Sequence, residues 1–312
     1  MPRSVLTSDF ILQEGLKYVG IPVEQQNKRS AKLNWKYFRT HYGAAPTVMA
    51  AIWDDLCVTD IEKSKLDESE KGQKGLKCFF MALYFLYVHP KNQHVLATRF
   101  GVSLKQASGA SLWKWVSRIA GLSEKVIKFP DEFNSSNREE FLITVDCRDH
   151  KIWEKKHPRY NIDKAYGSKK HGYHASLKYE MAVSIFHDQI CWINGPFKAS
   201  VHDITIFREH GLKQKILQDY PNSYVSVDRG YKSSEPDEVM LAWPNGKDPL
   251  DLKKFKSLSR CREEDVNGRM SNFMCLNREF IYSVDKHKEC YYSAAVIIQY
   301  QLNCGDAFLT RV

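Results

Sequence analysis

The amino-acid sequence predicts an α/β domain with a mixed sheet, preceded by an all-α helical module. The early part of the 312-residue chain holds helical patterns, including the apolar run CFFMALYFLYV at 78–88. After residue 140 the pattern changes to short runs rich in β-branched and aromatic residues. Three such runs, one helical segment and a fourth run follow in order. This order predicts a sheet in which the fourth strand lies parallel to the first through a right-handed crossover.

The helical part precedes a stretch that predicts an interdomain linker. The apolar run 78–88 is shorter than the roughly 20 residues that a membrane span needs, so we expect a buried core helix and no membrane partner. The stretch IKFPDEFNSSNREE at 127–140 is rich in Asn, Ser and acidic residues, as linkers often are. The predicted divisions are a basic N-terminal helical region at 1–74, a helix-turn-helix-like module at 75–126, the linker at 127–140 and the α/β domain at 141–312.

Residues 93–112, QHVLATRFGVSLKQASGASL, have the spacing of a helix-turn-helix. Gly101 falls at the turn and Ser103 can cap the second helix. The exposed face of that helix would offer Lys105 and Gln106 to DNA. Generic helix pairs often share this spacing, so a purely structural pair is the alternative.

The composition favours a polyanionic partner. Lys and Arg total 46 against 37 Asp and Glu, which gives a net charge of +9. Hydrophobic residues make up 43% of the chain, which argues against a disordered protein. Nucleic acid is the commonest partner of a basic, foldable chain. The eight cysteines include no CxxC pair, which favours reduced thiols in an intracellular protein over a disulfide framework.

Two aspartates each follow an apolar β run. Asp146 stands in ITVDC and Asp228 in VSVDRGY. If these strands are parallel neighbours, both carboxylates lie at the carboxyl edge of the sheet, where ligands of open α/β sheets bind. Close carboxylates repel each other, and a divalent cation removes the repulsion. A third carboxylate would come from the helical segment 260–273. Each acid taken alone is more often a turn former, a cap or an exposed side chain.

Five segments in order resemble a known family. The region 137–312 resembles the DDE-superfamily endonuclease domain of PIF/Harbinger-type transposases, which are related to the IS5-like group. The last segment but one is similar to the family pattern Arg-x-Glu-x-x-Asn-x-Arg. The five segments are FLITVDC, LKYEMAVSIFHDQICWINGPFKASVHDITIFREHGL, VDRGY, RCREEDVNGRMSNF and KHKECYYSAAVIIQYQLNCGDAFL.

This resemblance implies an RNase H-like fold with a catalytic, metal-binding triad of Asp146, Asp228 and Glu264. It also implies two Mg²⁺ ions, with Mn²⁺ as the alternative ion. The neighbouring Glu263 is the rival third ligand. The motif register, set by Arg262, Glu264, Asn267 and Arg269, favours Glu264. Successive helical residues point about 100° apart, so both glutamates cannot face one metal equally.

Two supporting residues and one departure accompany the triad. Asn267 belongs to the last motif. Asp203 is the rival for the second aspartate, but in His-Asp-Ile it reads as a helix N-cap with a structural role. Where the family commonly has Gly after the first aspartate, this chain has Cys147. We expect that larger side chain to crowd a close approach of backbone and phosphate, which raises the alternative of lost activity.

Basic residues follow the first aspartate closely. Residues 148–178 hold nine Lys or Arg and three acids, with Trp and Tyr interleaved. Cations supply sequence-independent affinity for phosphates and aromatic rings stack on unpaired bases. A solvated loop is the alternative, and Arg229 either contacts a phosphate or pairs with a nearby acid. The predicted DNA-binding residues are Lys105, Gln106, Arg148, Lys155, Lys156, Lys169, Lys170, Arg229, Arg262 and Arg269.

Together these observations predict a transposase that hydrolyses DNA phosphodiesters by two-metal-ion catalysis and then joins strands. The resemblance implies transposon-end and target duplex DNA as partners, together with a Myb-like accessory protein and a homo-oligomer. A nuclear location follows from the substrate alone. Two alternatives stay open: a domesticated, catalytically inactive DNA-binding protein of the same fold, and a general host nuclease.

Overall fold

The computed structural model describes residues 6–59, 70–135, 141–153, 167–168, 174–232, 240–243 and 245–308. The chain divides into two compact units. The first runs to Val126 and also includes Met270–Asn277 and Asp285–Gly305. The second begins at Ile127, where the sequence predicts a linker, and runs to Arg269, with Arg278–Val284 and the end of the chain added. The sequence analysis did not anticipate that segments after residue 269 return to the first unit.

The first unit is helical throughout its described residues. Its N-terminal helices are α1 (Ser8–Tyr18), α2 (Val23–Asn27), α3 (Ala31–Tyr42), α4 (Pro46–Thr59), α5 (Glu70–Val88), α6 (Gln93–Phe100), α7 (Leu104–Ser108), α8 (Ala110–Gly121) and α9 (Ser123–Val126). Later in the chain, α13 (Met274–Asn277) and most of α14 (Val284–Asn303) belong to it.

Capping side chains explain where the N-terminal helices begin. The hydroxyls of Thr7 and Ser30 accept backbone N–H groups at the starts of α1 and α3. One face of α3 buries Phe38 and Tyr42, and the Tyr42 hydroxyl donates to the Gly15 carbonyl at 2.7 Å. Together, these contacts fasten α3 to α1.

Helix α5 forms the centre of this unit, as the apolar run predicts. Phe79, Phe80 and Leu83 are fully buried on it. Trp53 and Trp115 stack in parallel with ring centroids 5.5 Å apart, and Phe79 lies 5.3 Å from Trp53. Aromatic rings of this size bury large apolar areas, which stabilises a helical unit. Within the described residues, every helix is too short or too polar to cross a lipid bilayer.

The segment with helix-turn-helix spacing forms two short helices. Gly101 ends α6 in the left-handed region at φ 56°, and Ser103 caps α7 in a capping box with Gln106. Ala107 is fully buried, while Lys105 is exposed. The sequence predicts one helix over 104–120, but Gly109 adopts an extended conformation and separates α7 from α8. The second helix of the pair therefore has only five residues.

The second unit is built on a mixed sheet, and the predicted α/β class is confirmed. Its described strands are β1 (Phe141–Lys151), β2 (Gly167–Ser168), β3 (His174–Ser184), β4 (Ile190–Lys198), β5 (Tyr224–Val227) and β6 (Leu241–Ala242). Its helices are α10 (Asp203–Glu209), α11 (Leu212–Asp219) and α12 (Leu250–Ser271), with 3₁₀ turns at Asp131–Ser135 and Arg229–Tyr231.

The strand order is that of an RNase H-like sheet. β3 lies between β1 and β4 with antiparallel pairing, and β1, β5 and β6 run parallel. The expected crossover therefore exists, although Gly211 divides its single predicted helix into α10 and α11. β5 ends at Val227 and a 3₁₀ turn replaces the rest of the predicted strand.

An apolar core lies on the side of the sheet that α10 and α11 cover. Val145, Val227, Phe207 and Ile216 belong to this cluster, each exposed by 1% or less. Phe129 and Phe133, from the predicted linker, are also buried in it. The described part of that stretch is therefore a packed portion of the second unit, anchored by two aromatic side chains.

Candidate active site

The alternation of strand β1 separates two environments. Side chains of successive strand residues point to opposite faces of a sheet. Val145 and Cys147 join the apolar core, so Thr144, Asp146 and Arg148 face the other side. Asp146 is half-buried between two fully buried neighbours. The strand therefore places one carboxylate where solvent still reaches it.

Asp228 stands beside Asp146 because β1 and β5 are parallel neighbours. Val145 pairs with Val227, and each aspartate is the next residue on its strand. Asp228 is half-buried, and its Oδ1 accepts the backbone N–H of Gly230 at 2.6 Å. This bond caps the 3₁₀ turn that follows β5. The predicted juxtaposition of the two aspartates at the end of β5 follows directly from this register.

Helix α12 contributes Glu263 to the same face. The Thr144 hydroxyl donates to Glu263 Oε2 at 2.7 Å, and only 5% of Glu263 is exposed. Burial raises the pKa of Glu263 well above its ordinary value, and repulsion from Asp146 raises it further. The hydrogen bond from Thr144 and the nearby Arg260 lower it, while Asp228 adds a smaller upward contribution. Both aspartates therefore contribute to the raised pKa of Glu263.

Glu264 is in a different position from the one that the motif register predicts. Its side chain is exposed, one residue along α12 from the buried Glu263. A helix turns about 100° per residue, so the face that brings Glu263 to Thr144 turns Glu264 away. The side chain that contacts Thr144 on this face is therefore that of Glu263, the rival third ligand, and not that of Glu264. The sequence did contain a signal for a glutamate contact at this place, namely Thr144. Its hydroxyl is on the same strand face as Asp146 and can donate a hydrogen bond to a glutamate.

Arg148 and Asn267 connect β1 to α12 next to the carboxylates. Arg148 Nη1 donates to the Asn267 carbonyl at 2.6 Å, and both residues are half-buried. Asn267 lies one helical turn after Glu263, on the same side of α12. Arg229, beside Asp228, is exposed.

Two arginines predicted to bind DNA are used inside the fold instead. Arg262 is 3% exposed and donates to the carbonyls of Ser184 and His187 at 2.9 and 2.5 Å. Arg269 donates to carbonyls at Asp306 and Ala307. Both guanidinium groups serve to fix α12 within the second unit, because their hydrogen-bonding groups are already engaged there.

The remaining predicted DNA contacts divide into two groups. Lys105 is exposed on α7, whereas the Gln106 side chain accepts hydrogen bonds from the backbone and hydroxyl of Ser103. Gln106 is therefore occupied as a helix cap. Four further candidates lie outside the described residues, namely Lys155, Lys156, Lys169 and Lys170.

Asp203 lies on the opposite side of the sheet from Asp146. It is the first residue of α10 rather than the predicted N-cap, which is His202. Its Oδ1 accepts from Lys178 Nζ at 2.7 Å, and Lys178 pairs across the sheet with Asp149. Asp203 therefore takes part in a part-buried ion pair with Lys178 and does not cap α10.

Cys147 does not face the carboxylates. It is fully buried in the apolar core, and the Tyr231 hydroxyl donates to its Sγ at 3.3 Å. The expected crowding of the site by this side chain is therefore absent, because residue 147 points to the other face. The contact instead connects the residue after Asp146 to the turn after Asp228.

The three carboxylates provide donors that suit a hard divalent cation. Mg²⁺ prefers carboxylate oxygens, and a cation would offset the repulsion that raises the pKa of Glu263. Among the residues that the structure describes, no three His, Cys, Asp or Glu side chains are close enough to form a ready-made metal site. The three carboxylates are of the type that Mg²⁺ prefers, but their side chains would have to move closer together to bind one ion.

The sheet order and the paired aspartates define a nuclease-like α/β domain, and a family comparison points the same way. Residues 145–299 match the family model described as DDE superfamily endonuclease. The matched segment is just under half of the chain and includes Asp146, Asp228 and Glu263. It is therefore similar to a nuclease domain of the transposase type. Neither the curated proteins nor the solved structures gave a match.

Proposed function

We propose that this protein is a divalent-metal-dependent DNA endonuclease of the transposase type, with Asp146, Asp228 and Glu263 as its metal-binding carboxylates. The observation that carries the proposal is that β1, β5 and α12 bring Asp146, Asp228 and the buried Glu263 to one face of the sheet. The DDE superfamily match over the same residues supports it.

Each carboxylate would have a distinct part in holding the ions. Asp146 and Asp228 are half-buried and stay accessible to a phosphate. Thr144 fixes Glu263 by its hydrogen bond to Oε2. Bound Mg²⁺ would activate water and stabilise the leaving oxygen of a phosphodiester. The exposed Arg229 is placed to contact a phosphate beside Asp228.

Several finer expectations rest on the family resemblance alone. They are two ions rather than one, Mg²⁺ with Mn²⁺ as the alternative, strand joining after cleavage, the PIF/Harbinger subgroup, a nuclear location, a Myb-like accessory protein and a homo-oligomer. We retain each as part of the proposal.

A matched pair of variants on α12 tests the site most directly. Glu263→Gln removes the buried carboxylate with little change of shape, and Glu264→Gln makes the same change at the exposed neighbour. We expect Glu263→Gln to lower Mg²⁺-dependent nicking of supercoiled plasmid DNA by at least about a hundredfold, because a metal-binding charge is lost. Glu264→Gln should nick like the wild type.

The opposite ranking would restore Glu264 as the ligand. Asp228→Asn should also abolish nicking. If wild type and Asp228→Asn nick equally, the carboxylates are not the catalytic centre. If neither nicks supercoiled plasmid DNA, with Mg²⁺ or with Mn²⁺, the domesticated DNA-binding protein becomes the better explanation.

A further inference from the structure

A basic surface on α3 lies outside every site described so far. Residues 25–53 contain five Lys or Arg and no Asp or Glu. Three of these cations, Lys32, Lys36 and Arg39, belong to α3. Such a density of unopposed positive charge is typical of a surface that meets a polyanion.

The three cations share one side of the helix with an aromatic ring. Lys32, Trp35, Lys36 and Arg39 follow the spacing i, i+3, i+4 and i+7, which places them on a single helical stripe. This stripe lines an open groove of about 700 Å³. Its lining residues are Ala31, Lys32, Trp35, Lys36, Arg39, Thr40 and Tyr87.

Aromatic rings form much of the groove surface. Trp35 is half-buried, so part of its side chain stays accessible in the groove. Tyr87 of α5 lies close to Gly43, which ends α3 at φ 80°. A Cβ at position 43 would come within 2.4 Å of the Tyr87 ring, so this ring position requires glycine there.

The lysines of the groove form no ion pair with the residues that the structure describes. Lys32 and Lys36 are exposed, and among the described residues neither has an acidic side chain within ion-pair distance. Arg39 is exposed as well. The opposite side of α3 buries Phe38 and Tyr42 in the first unit. The helix therefore has one side for packing and one side that is charged and aromatic.

We infer that this groove, the α3 groove, binds a single DNA strand, with phosphates on Lys32, Lys36 and Arg39 and an unstacked base on the ring of Trp35. Cations that follow the backbone, together with aromatic stacking platforms, are the features by which proteins bind single strands. A duplex keeps its bases stacked and would leave the aromatic surface unused. The inference rests on the proposed function only for the choice of DNA as the polyanion.

Binding measured without metal ions tests the charged part of the groove. Fluorescence anisotropy of a labelled oligothymidine in EDTA gives the affinity of the full chain across a series of salt concentrations. Lys32→Gln with Lys36→Gln should weaken binding about tenfold or more and reduce the salt slope by about 1.4, since each phosphate contact on a single strand contributes about 0.7. Lys91→Gln with Lys114→Gln changes two exposed lysines of the same unit and should leave both quantities unchanged.

Trp35→Leu tests the stacking part. It should weaken binding of the single strand on the order of tenfold without changing the salt slope, and weaken binding of a duplex of equal length much less. Equal losses for the two oligonucleotides would overturn the assignment to a single strand. The inference would also be overturned if the Lys32→Gln and Lys36→Gln variant bound the oligonucleotide like its control variant. It would be overturned as well if heparin displaced the oligonucleotide fully and Trp35→Leu had no effect on binding. Thermal melting of each variant verifies folding.

Failure of the proposed function gives a different result from failure of this inference. Asp228→Asn keeps the α3 groove, so it should bind the oligonucleotide as the wild type does. If Asp228→Asn nicks like the wild type while the groove variants lose binding, only the active-site proposal fails. If nicking depends on Asp228 and the groove variants bind normally, only the α3 groove proposal fails.

Discussion

The two faces of the sheet in the second unit use charge in opposite ways. On the face with Asp146, the carboxylates repel one another and two of them stay half-exposed. On the face with Cys147, Lys178 and Asp203 form a part-buried ion pair at 2.7 Å. Charges arranged only for stability are usually paired when buried. The face with Asp146 is therefore the one whose repulsion a bound cation would offset.

The largest expected effect is the loss of plasmid nicking when the carboxylate of Asp146 is removed from one face of β1. Asp146→Asn should lower plasmid nicking on the order of a thousandfold, because a metal-binding charge near the phosphate is lost. It should not lower the free energy of unfolding, since it relieves repulsion with Glu263. Nicking rates and urea denaturation measure the two quantities.

Asp149→Asn is the control on the same strand and the other face. Asp149 lies 4.0 Å from buried Lys178, so its loss should lower stability. Nicking per folded molecule should be retained. If Asp149→Asn abolishes nicking in a fully folded protein, the separation of the two faces is not functional.

The next largest effect concerns the apolar core. Phe207→Ala should lower the free energy of unfolding by about 3–5 kcal/mol, because it leaves a cavity where a fully buried ring was. Leu217→Ala, at a side chain of α11 that is 43% exposed, should change it by less than about 0.5 kcal/mol. Urea denaturation of both variants provides the measurement, and equal losses would contradict the assignment of the core to this face.

A further expected effect is a change of pH dependence at a buried glutamate. Burial raises the pKa of Glu180 from 4.5 to about 8, with a lowering contribution from the Trp192 N–H and a raising one from Asp203. The folded state therefore keeps a proton that the unfolded state loses above pH 4.5. Stability falls as pH rises from about 4.5 to 8, by at most about 1.4 kcal/mol per pH unit from this group.

Glu180→Gln removes that slope. The variant should gain stability over the wild type at pH 8 and match it near pH 4.5, as measured by urea denaturation across this range. Glu264→Gln, at an exposed glutamate, should reproduce the wild-type profile. A Glu180→Gln variant that is equally stabilised at every pH would show that Glu180 is ionised in the folded protein.

The sequence predicted the parts of the site that depend on local pattern. Apolar runs ending in Asp146 and Asp228 identified two strands, and the intervening helical segment made them parallel. The third carboxylate was harder, because the motif spacing of α12 favours Glu264. Only the rotation of that helix against β1, fixed by Thr144, chooses Glu263.

Other features escaped the sequence because they depend on distant contacts. The stretch 127–140 has the composition of a linker, yet Phe129 and Phe133 pack into the core. Phe129 and Phe133 are four positions apart, and this spacing of two aromatic residues was the sequence signal for packing. The concern about Cys147 arose from comparing residue size alone. Strand alternation, applied to the same residue, would have placed it on the other face.

The hydrogen bond that caps the turn after β5 also affects how Asp228 would bind a ligand. Asp228 Oδ1 accepts from the Gly230 N–H, and a Cβ at position 230 would lie 2.9 Å from that oxygen. The glycine thus leaves room for the carboxylate rather than for an unusual backbone angle. Since this hydrogen bond holds the carboxylate in one rotamer, its rotational entropy is lost on folding. Asp228 is therefore preorganised, and under the proposed function an ion would meet an oxygen, Oδ2, whose direction is set in advance.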